Sequence, residues 1–356
     1  MKNTSPRILA IYLPQYHPIP ENDLWWGKGF TEWMSVSAAK PLYKGHNQPI
    51  LPGELGFYDL RLPELQVQQA KLAKDYGIDG FVYWHYWLGD GKRLLERPAE
   101  QMLHNKNVDI PFCLAWANHS WKGVFFGAKG QTLIQQTYGG EDDYRKHFET
   151  VLPYFKDERY IRVNGKPLFG IFKPSDIPNC QQFVTLWQQW AKEEGLNGIT
   201  FYGELYGETP EKYSLDFSTY SRHRVIEQID FKKGIRRYWE RFRRGIPMRL
   251  KAFPYSDAMK YFIKENLADN DWPPIVTGWD TTARLQKDAV ILYDRTPELF
   301  RSHVKQVLEK VKNRNREENI VFIKSWNEWA EGNYLEPDRE YGRAFLEVLK
   351  EELEKL

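Results

Sequence analysis

The chain has 356 residues, and its 50 Lys and Arg against 48 Asp and Glu leave a formal net charge of +2. That balance excludes a nucleic-acid partner selected by bulk charge, no apolar run approaches a membrane span, and two cysteines outside any CxxC spacing exclude a disulfide scaffold. What stands out is the aromatic content of 15%, with 14 Trp and 21 Tyr, a surplus suited to stacking on the apolar faces of sugar rings as well as to filling a core.

Taken in order, short β-rich apolar runs alternate with amphipathic stretches of helical length. The first strand is expected over Arg7–Leu13, too short for a secretory leader, so the cytoplasm is the expected compartment. Further strands are expected over Gly80–Trp84, Pro111–Ala117, Leu168–Phe172, Gly198–Tyr202, Phe217–Tyr220, Pro274–Trp279 and Ile320–Trp326. Helices are expected over Pro63–Tyr76, Arg93–Asn105, Asp142–Phe155, Gln181–Glu194, Asp257–Leu267, Glu298–Val311 and Arg339–Leu356. Eight strand and helix units in alternation predict an α/β protein, a (β/α)8 TIM barrel forming one domain over residues 1–356.

Two segments exceed ordinary connections. Residues 18–61, after the first strand, carry Trp25-Trp26-Gly27 and Glu32-Trp33, and are expected to form an ordered wall of a cleft. Residues 222–255, around the sixth strand, combine Lys232, Lys233, Arg236, Arg237, Arg241, Arg243, Arg244, Arg249 and Lys251 with Ile235, Tyr238, Trp239, Phe242 and Ile246 at helical spacing. A basic amphipathic helix there fits peripheral contact with an anionic membrane, a phosphate-bearing ligand, or a solvated cover for the barrel.

The residues with chemistry cluster where strands end. Tyr16 and His17 follow the first strand, Trp84, His85 and Tyr86 the second, and Trp116, Asn118 and His119 the third. Tyr202 and Glu204 follow the fifth, and Trp279 the seventh. The eighth strand runs into Trp326-Asn327-Glu328-Trp329-Ala330-Glu331. In a parallel barrel these ends share one face, the one that carries the active site. Glu328 and Glu331 meet on a helical turn but not on a strand, so the strand is expected to stop near Trp326. Two carboxylates among aromatics fit glycosidic chemistry, which needs one acid and one base or nucleophile. No dinucleotide, P-loop, hydrolase-elbow or zinc-protease motif is present, so no cofactor is expected. Asp269-Asn270-Asp271 reads as a turn rather than a metal-holding triplet. His17, His85 and His119 lack ligand spacing, so sugar hydroxyls rather than a metal are their expected partners.

Tyr12-Leu13-Pro14-Gln15-Tyr16-His17-Pro18, Phe30-Thr31-Glu32-Trp33, Gly80 to Trp87 and Trp326 to Asp338 together resemble the WbsX family, glycosyltransferase-like proteins related to glycoside hydrolase family 99. The resemblance implies a (β/α)8 barrel acting on α-linked glycans with retention, through a 1,2-anhydro sugar rather than a covalent glycosyl-enzyme. By position, Glu328 would be the base toward the sugar 2-hydroxyl and Glu331 the acid/base. Asn327 would orient substrate, with Tyr16, His17, Trp84, His85, Tyr86, Trp116, Asn118, Tyr202 and Glu204 as binding groups. His119 stands where the family reads Glu, a change of charge at the third strand end. The expected partner is an oligosaccharide or lipid-linked glycan in surface-polysaccharide (lipopolysaccharide, O-antigen or capsule) assembly. The alternatives are a transferase using a nucleotide- or lipid-linked donor, and a non-catalytic glycan-binding barrel.

Overall fold

The computed structural model describes residues 5–123, 130–220 and 235–356. Eight strand positions form the barrel: β1 Arg7–Tyr12, β2 Gly80–Trp87, β3 Phe112–Trp116, β4 Lys166–Ile171, β5 Thr200–Glu204, β6 Phe217–Thr219, β7 Asp271–Val276 and β8 Ile320–Lys324. Each pairs in parallel with its sequence neighbour. Leu9 sits opposite Gly80, Phe81 opposite Phe112, Leu114 opposite Phe169 and Leu168 opposite Thr200. Phe217 then sits opposite Tyr202, and Arg7 opposite Ile320. The runs are apolar on both faces because helices cover the outside while side chains fill the inside.

Closure passes through β7, which is broken at Pro273. Asp271–Trp272 pairs with β6, and Pro274–Val276 pairs with β8. Proline has no N–H to give the ladder, but its carbonyl still accepts the Phe322 N–H at 3.2 Å. Nine hydrogen-bonded runs therefore occupy eight positions. Asp271, expected in a turn, begins a strand, and its carboxylate accepts from the Ser218 hydroxyl and from Lys264 at 2.7 Å.

Proline at the first turn opens the helices Pro63–Asp75 and Pro297–Val311, and Thr296 caps the second by accepting the Leu299 N–H at 3.3 Å. Asn179 caps Cys180–Glu193 in the same way through the Gln182 N–H. Three helices are shorter than expected. The helix expected over Arg93–Asn105 spans Arg97–His104, because Arg93–Leu94 pairs back onto Tyr86–Trp87. The expected Asp257–Leu267 helix is a single turn at Tyr255–Ala258 followed by a 3-10 turn, and the last helix spans Ala344–Leu353.

The first insertion is ordered, with helices Pro20–Trp26 and Glu32–Ala38. The second helix buries Glu32, Trp33 and Val36, and Trp33 donates its indole N–H to the Tyr58 carbonyl at 2.7 Å. In the second insertion the helix Ile235–Arg244 is followed by Lys251–Pro254, which pairs in parallel with Val290–Tyr293. Lys232 and Lys233 lie outside the described residues, as do the side chains of Arg236 and Arg237. Among the described residues no helix is long and apolar enough to cross a membrane.

Candidate active site

β8 ends at Lys324, and the peptide to Ser325 is cis. Trp326 then donates its N–H to the Ile11 carbonyl at 2.7 Å, and the chain forms a hairpin in which Asn327–Glu328 pairs antiparallel with Asn333–Tyr334. Trp329–Glu331 is a 3-10 turn at its tip, so residues three apart are eclipsed and Glu328 and Glu331 project together. Gly332 closes the turn at φ +58, and a Cβ there would lie 2.8 Å from Asp280, so glycine is required both by conformation and by contact.

The hairpin rests on buried polar groups. The Asn327 carboxamide accepts the Leu13 N–H at 2.7 Å and donates to the Leu13 carbonyl at 3.0 Å, fixing the hairpin to the end of β1. Its amide also donates to the Tyr58 hydroxyl at 3.3 Å. Glu336 accepts from the Trp329 indole at 2.7 Å, Gln69 at 2.7 Å and Tyr58 at 2.9 Å. Burial pushes this carboxyl up to about 7 in spite of those donors. Trp329 stacks on Tyr334 at 3.9 Å, and its backbone N–H donates to the Tyr16 hydroxyl.

The group that organises the site is Arg284, just past β7. Its guanidinium donates to Glu331 at 2.5 Å, to Glu328 at 2.6 Å and to Glu32 at 2.5 Å. Three carboxylates, one from the Glu32–Ala38 helix of the first insertion and two from the hairpin, thus converge on one cation. Glu331 is the most accessible, its side chain 21% exposed against 9% for Glu328 and 1% for Glu32. Burial raises Glu328 well above the ordinary carboxylate range; Arg284 opposes this, while Glu331 and Glu32 add to it. Glu32 is raised by the same burial, again against Arg284, and its Oε2 is buried without a hydrogen-bond partner. For Arg284 burial disfavours the charge, but the three glutamates outweigh it and hold the guanidinium protonated. Nothing in the local sequence marks this arginine, which lies 44 residues from Glu328 and 252 from Glu32.

Around the cluster, Tyr16 and Tyr86 are buried, and their hydroxyls are raised by burial and by the neighbouring Glu328 and Glu32. Trp84 meets Phe172 edge-on at 5.4 Å, and His119 meets the same ring at 5.5 Å, giving one aromatic wall. Lys324 lies 3.5 Å from Glu204, which also accepts from the Tyr206 hydroxyl. Lys324, like Arg284, is not among the residues that sequence reasoning selects. Trp26, part-exposed, lies on the first insertion 6.0 Å from Phe30.

Other expected site residues point elsewhere. Along β2, Trp84 and Tyr86 face inward, so His85 faces outward and meets His147 at 2.9 Å, burial lowering it to about 3. Trp116 is the register partner of His85 and shares its direction, packing against Phe183 at 5.5 Å and donating to the Trp87 carbonyl. Trp279 joins an apolar cluster with Tyr255, Phe262 and Leu292. Asn118 spends its amide on both sides of the Lys173 peptide, at 2.7 Å each way, tying β3 to β4. His17 is lowered to about 4 by burial, and the charges acting on it are Asp59, Arg97 and Arg61 rather than the glutamates. Tyr202, by contrast, does face the barrel interior, against Phe322 and Trp272, and lines the same small cavity as Trp84, Phe172 and Glu204.

Residues 8–349 match the family described as glycosyltransferase WbsX. The chain belongs to the WbsX family. It is 34% identical over 361 residues to the uncharacterized protein WxcX of Xanthomonas campestris pv. campestris, covering 97% of this chain but 49% of that protein, so it spans about half the length of this curated relative. Among solved structures it is similar to a family 99 endo-alpha-mannosidase from Bacteroides thetaiotaomicron, with a TM-score of 0.58 at 14% identity over 100% of this chain and 98% of that one. A glycoside hydrolase-like protein aligns with a TM-score of 0.61 at 14% identity, over 99% and 95% of the two chains. These structural likenesses establish the (β/α)8 fold for a WbsX-family chain.

Proposed function

We propose that this WbsX-family protein is a glycan-processing enzyme that acts on α-linked glycans in surface-polysaccharide assembly, with retention, through Glu328 and Glu331. The observation that carries the reading is the convergence of both carboxylates on Arg284 at the strand-end face of the barrel. Glu328 serves as the base toward the sugar 2-hydroxyl. A carboxylate raised by burial is a stronger base once ionised, and Arg284 at 2.6 Å keeps the ionised form accessible. Glu331, the more exposed of the pair, protonates the departing oxygen and then deprotonates the incoming acceptor, water or another sugar. Burial and mutual repulsion among the clustered carboxylates favour retention of a proton within the group.

The test uses α-linked oligosaccharides and lipid-linked sugars, with mass spectrometry to detect cleaved and extended products. On active substrates Glu328→Gln and Glu331→Gln each lower turnover by about 10²–10⁴-fold. A glycoside with an activated leaving group needs little protonation, so it restores Glu331→Gln but not Glu328→Gln. Unchanged turnover in both variants would falsify the proposal, and binding of glycans with no product from the wild type would favour a non-catalytic barrel.

A further inference from the structure

We infer that the helix Ile235–Arg244 and the turn after it form a membrane-docking surface for anionic lipid headgroups, placed so that the catalytic mouth meets a lipid-linked glycan at the bilayer. The second half of this inference rests on the proposed glycan chemistry; the docking surface does not.

The helix turns large apolar side chains to solvent. Tyr238 is 54% exposed, Trp239 57%, Phe242 69% and the following Met248 69%. Soluble proteins seldom leave several such residues uncovered side by side. Trp239 and Phe242, three apart, share one face, their rings 5.9 Å apart. Arg243 and Arg249 are exposed beside them. Aromatic rings flanked by arginines at one level match the headgroup region, where an amphipathic ring sits between acyl chains and water and basic side chains meet anionic phosphates. A protein partner would be served equally by the rings, but not by so strong an excess of one sign. From residue 235 to 251 the sequence has seven Arg or Lys and one acid, Glu240; of the described side chains Arg241 and Arg244 are engaged on the protein, and Arg243 and Arg249 carry the exposed charge beside the rings.

The helix is also held so that this face stays out. Arg241 is spent on the body of the protein, donating to the carbonyls of Pro247, Leu250 and Ala252 at 2.6, 2.8 and 2.9 Å. Arg244 pairs with Asp294 at 2.5 Å and covers the Tyr293 ring. Beneath them Ile246 and Leu250 pack with Ile291 and Tyr293, and against Tyr43 of the first insertion. From there the path to the catalytic group is short. Tyr43 stacks on His46 at 4.6 Å, His46 Nε2 meets Asp280 at 2.8 Å, and the Asp280 N–H donates to the Glu331 carbonyl at 2.6 Å. The docking helix is thereby linked through packed side chains to the backbone of Glu331, and we place a bilayer-anchored substrate with its sugar toward that residue.

The experiment is flotation of the whole protein with vesicles of phosphatidylglycerol or of phosphatidylcholine, at low and high salt. The wild type is expected to float with phosphatidylglycerol alone, and less at high salt. Arg243→Ser and Arg249→Ser should each weaken binding about fivefold, while Trp239→Ala with Phe242→Ala should abolish flotation; all four positions are exposed, and unchanged thermal unfolding verifies the fold. Soluble phosphate at the same charge concentration separates a free phosphate site from a lipid surface: competition that abolishes flotation overturns the bilayer assignment. Wild-type protein that stays at the bottom with both vesicles, or variants that float as well as wild type, overturns the surface, and a concentration-dependent dimer lost in Trp239→Ala assigns the face to a second copy instead. Turnover of a soluble α-linked oligosaccharide is followed in parallel. Its absence with flotation intact counts against the proposed chemistry alone, whereas its presence in variants that no longer float locates the failure in the surface.

Discussion

Replacing Arg284 with glutamine leaves Glu32, Glu328 and Glu331 without the cation on which all three converge. With nitrogen to oxygen distances of 2.5–2.6 Å, charge centres about 4 Å apart interact by about 4 kcal/mol each at an effective dielectric of about 20. Stripping one partner from a buried pair costs about 3–5 kcal/mol in net stability. The glutamates have one escape, which is to bind protons. Holding a carboxyl neutral at about pH 7 when its ordinary value is 4.5 costs about 3 kcal/mol, at about 1.36 kcal/mol per pH unit. That cost caps the loss for each carboxyl that takes up a proton, so Arg284→Gln should lower stability by about 4 kcal/mol near pH 7. The sign follows from the direction of the shift. Carboxyls raised in the folded variant destabilise it above the unfolded value of 4.5, and the penalty shrinks as pH falls toward that value. Urea unfolding followed by tryptophan fluorescence should show the gap to wild type narrowing to about 1 kcal/mol near pH 5. A gap that is the same at every pH, or below about 1 kcal/mol at neutrality, would refute the reasoning, because it would mean that solvent already screens the cluster.

The acidic limb of the pH profile of kcat/KM should lie above the ordinary carboxylate range, since burial raises Glu328, and Arg284→Lys, which loses the two-armed contact, should move it further up; a limb near 4.5 in both proteins contradicts the assignment of Glu328 as base. Glu336, raised by burial from 4.5 to about 7, makes the fold less stable as pH rises through that window, by about 3 kcal/mol in all. Glu336→Gln should flatten that dependence in thermal unfolding across the same range, and parallel curves for the two proteins would dismiss it. Trp84→Ala should weaken glycan affinity by about tenfold while leaving the pH profile in place, to be measured by calorimetry with a slow substrate in Glu331→Gln.

Much of the barrel was legible because parallel strands buried on both faces must be apolar runs, and helices that cover them must be amphipathic. The seventh strand was expected over Pro274–Trp279, but strand pairing covers Asp271–Trp272 and Pro274–Val276, and only closure shows that each half pairs with a different neighbour. The Trp326 to Glu331 segment declared its turn through the spacing of two carboxylates that a strand would have separated. Reading the strand ends as one cluster was too coarse. The alternation that turns Trp84 and Tyr86 inward also turns His85 outward, and that signal was present in the sequence. Trp116 follows His85 only through the register between β2 and β3, which no single strand contains.

What the sequence determined by itself is therefore periodic and local: the strands and helices, the WbsX resemblance, the glutamate spacing and the basic aromatic helix. Arg284 was decided by tertiary structure. Its partners lie on a distant insertion and on the eighth-strand hairpin, and an arginine in the single helical turn Thr282–Leu285 carries no periodic mark. The same holds for the asymmetry between Glu328 and Glu331, two residues of one type three positions apart. Their difference is one of burial, 9% against 21% exposure at nearly equal distance from Arg284, and burial exists only once the chain has closed upon itself.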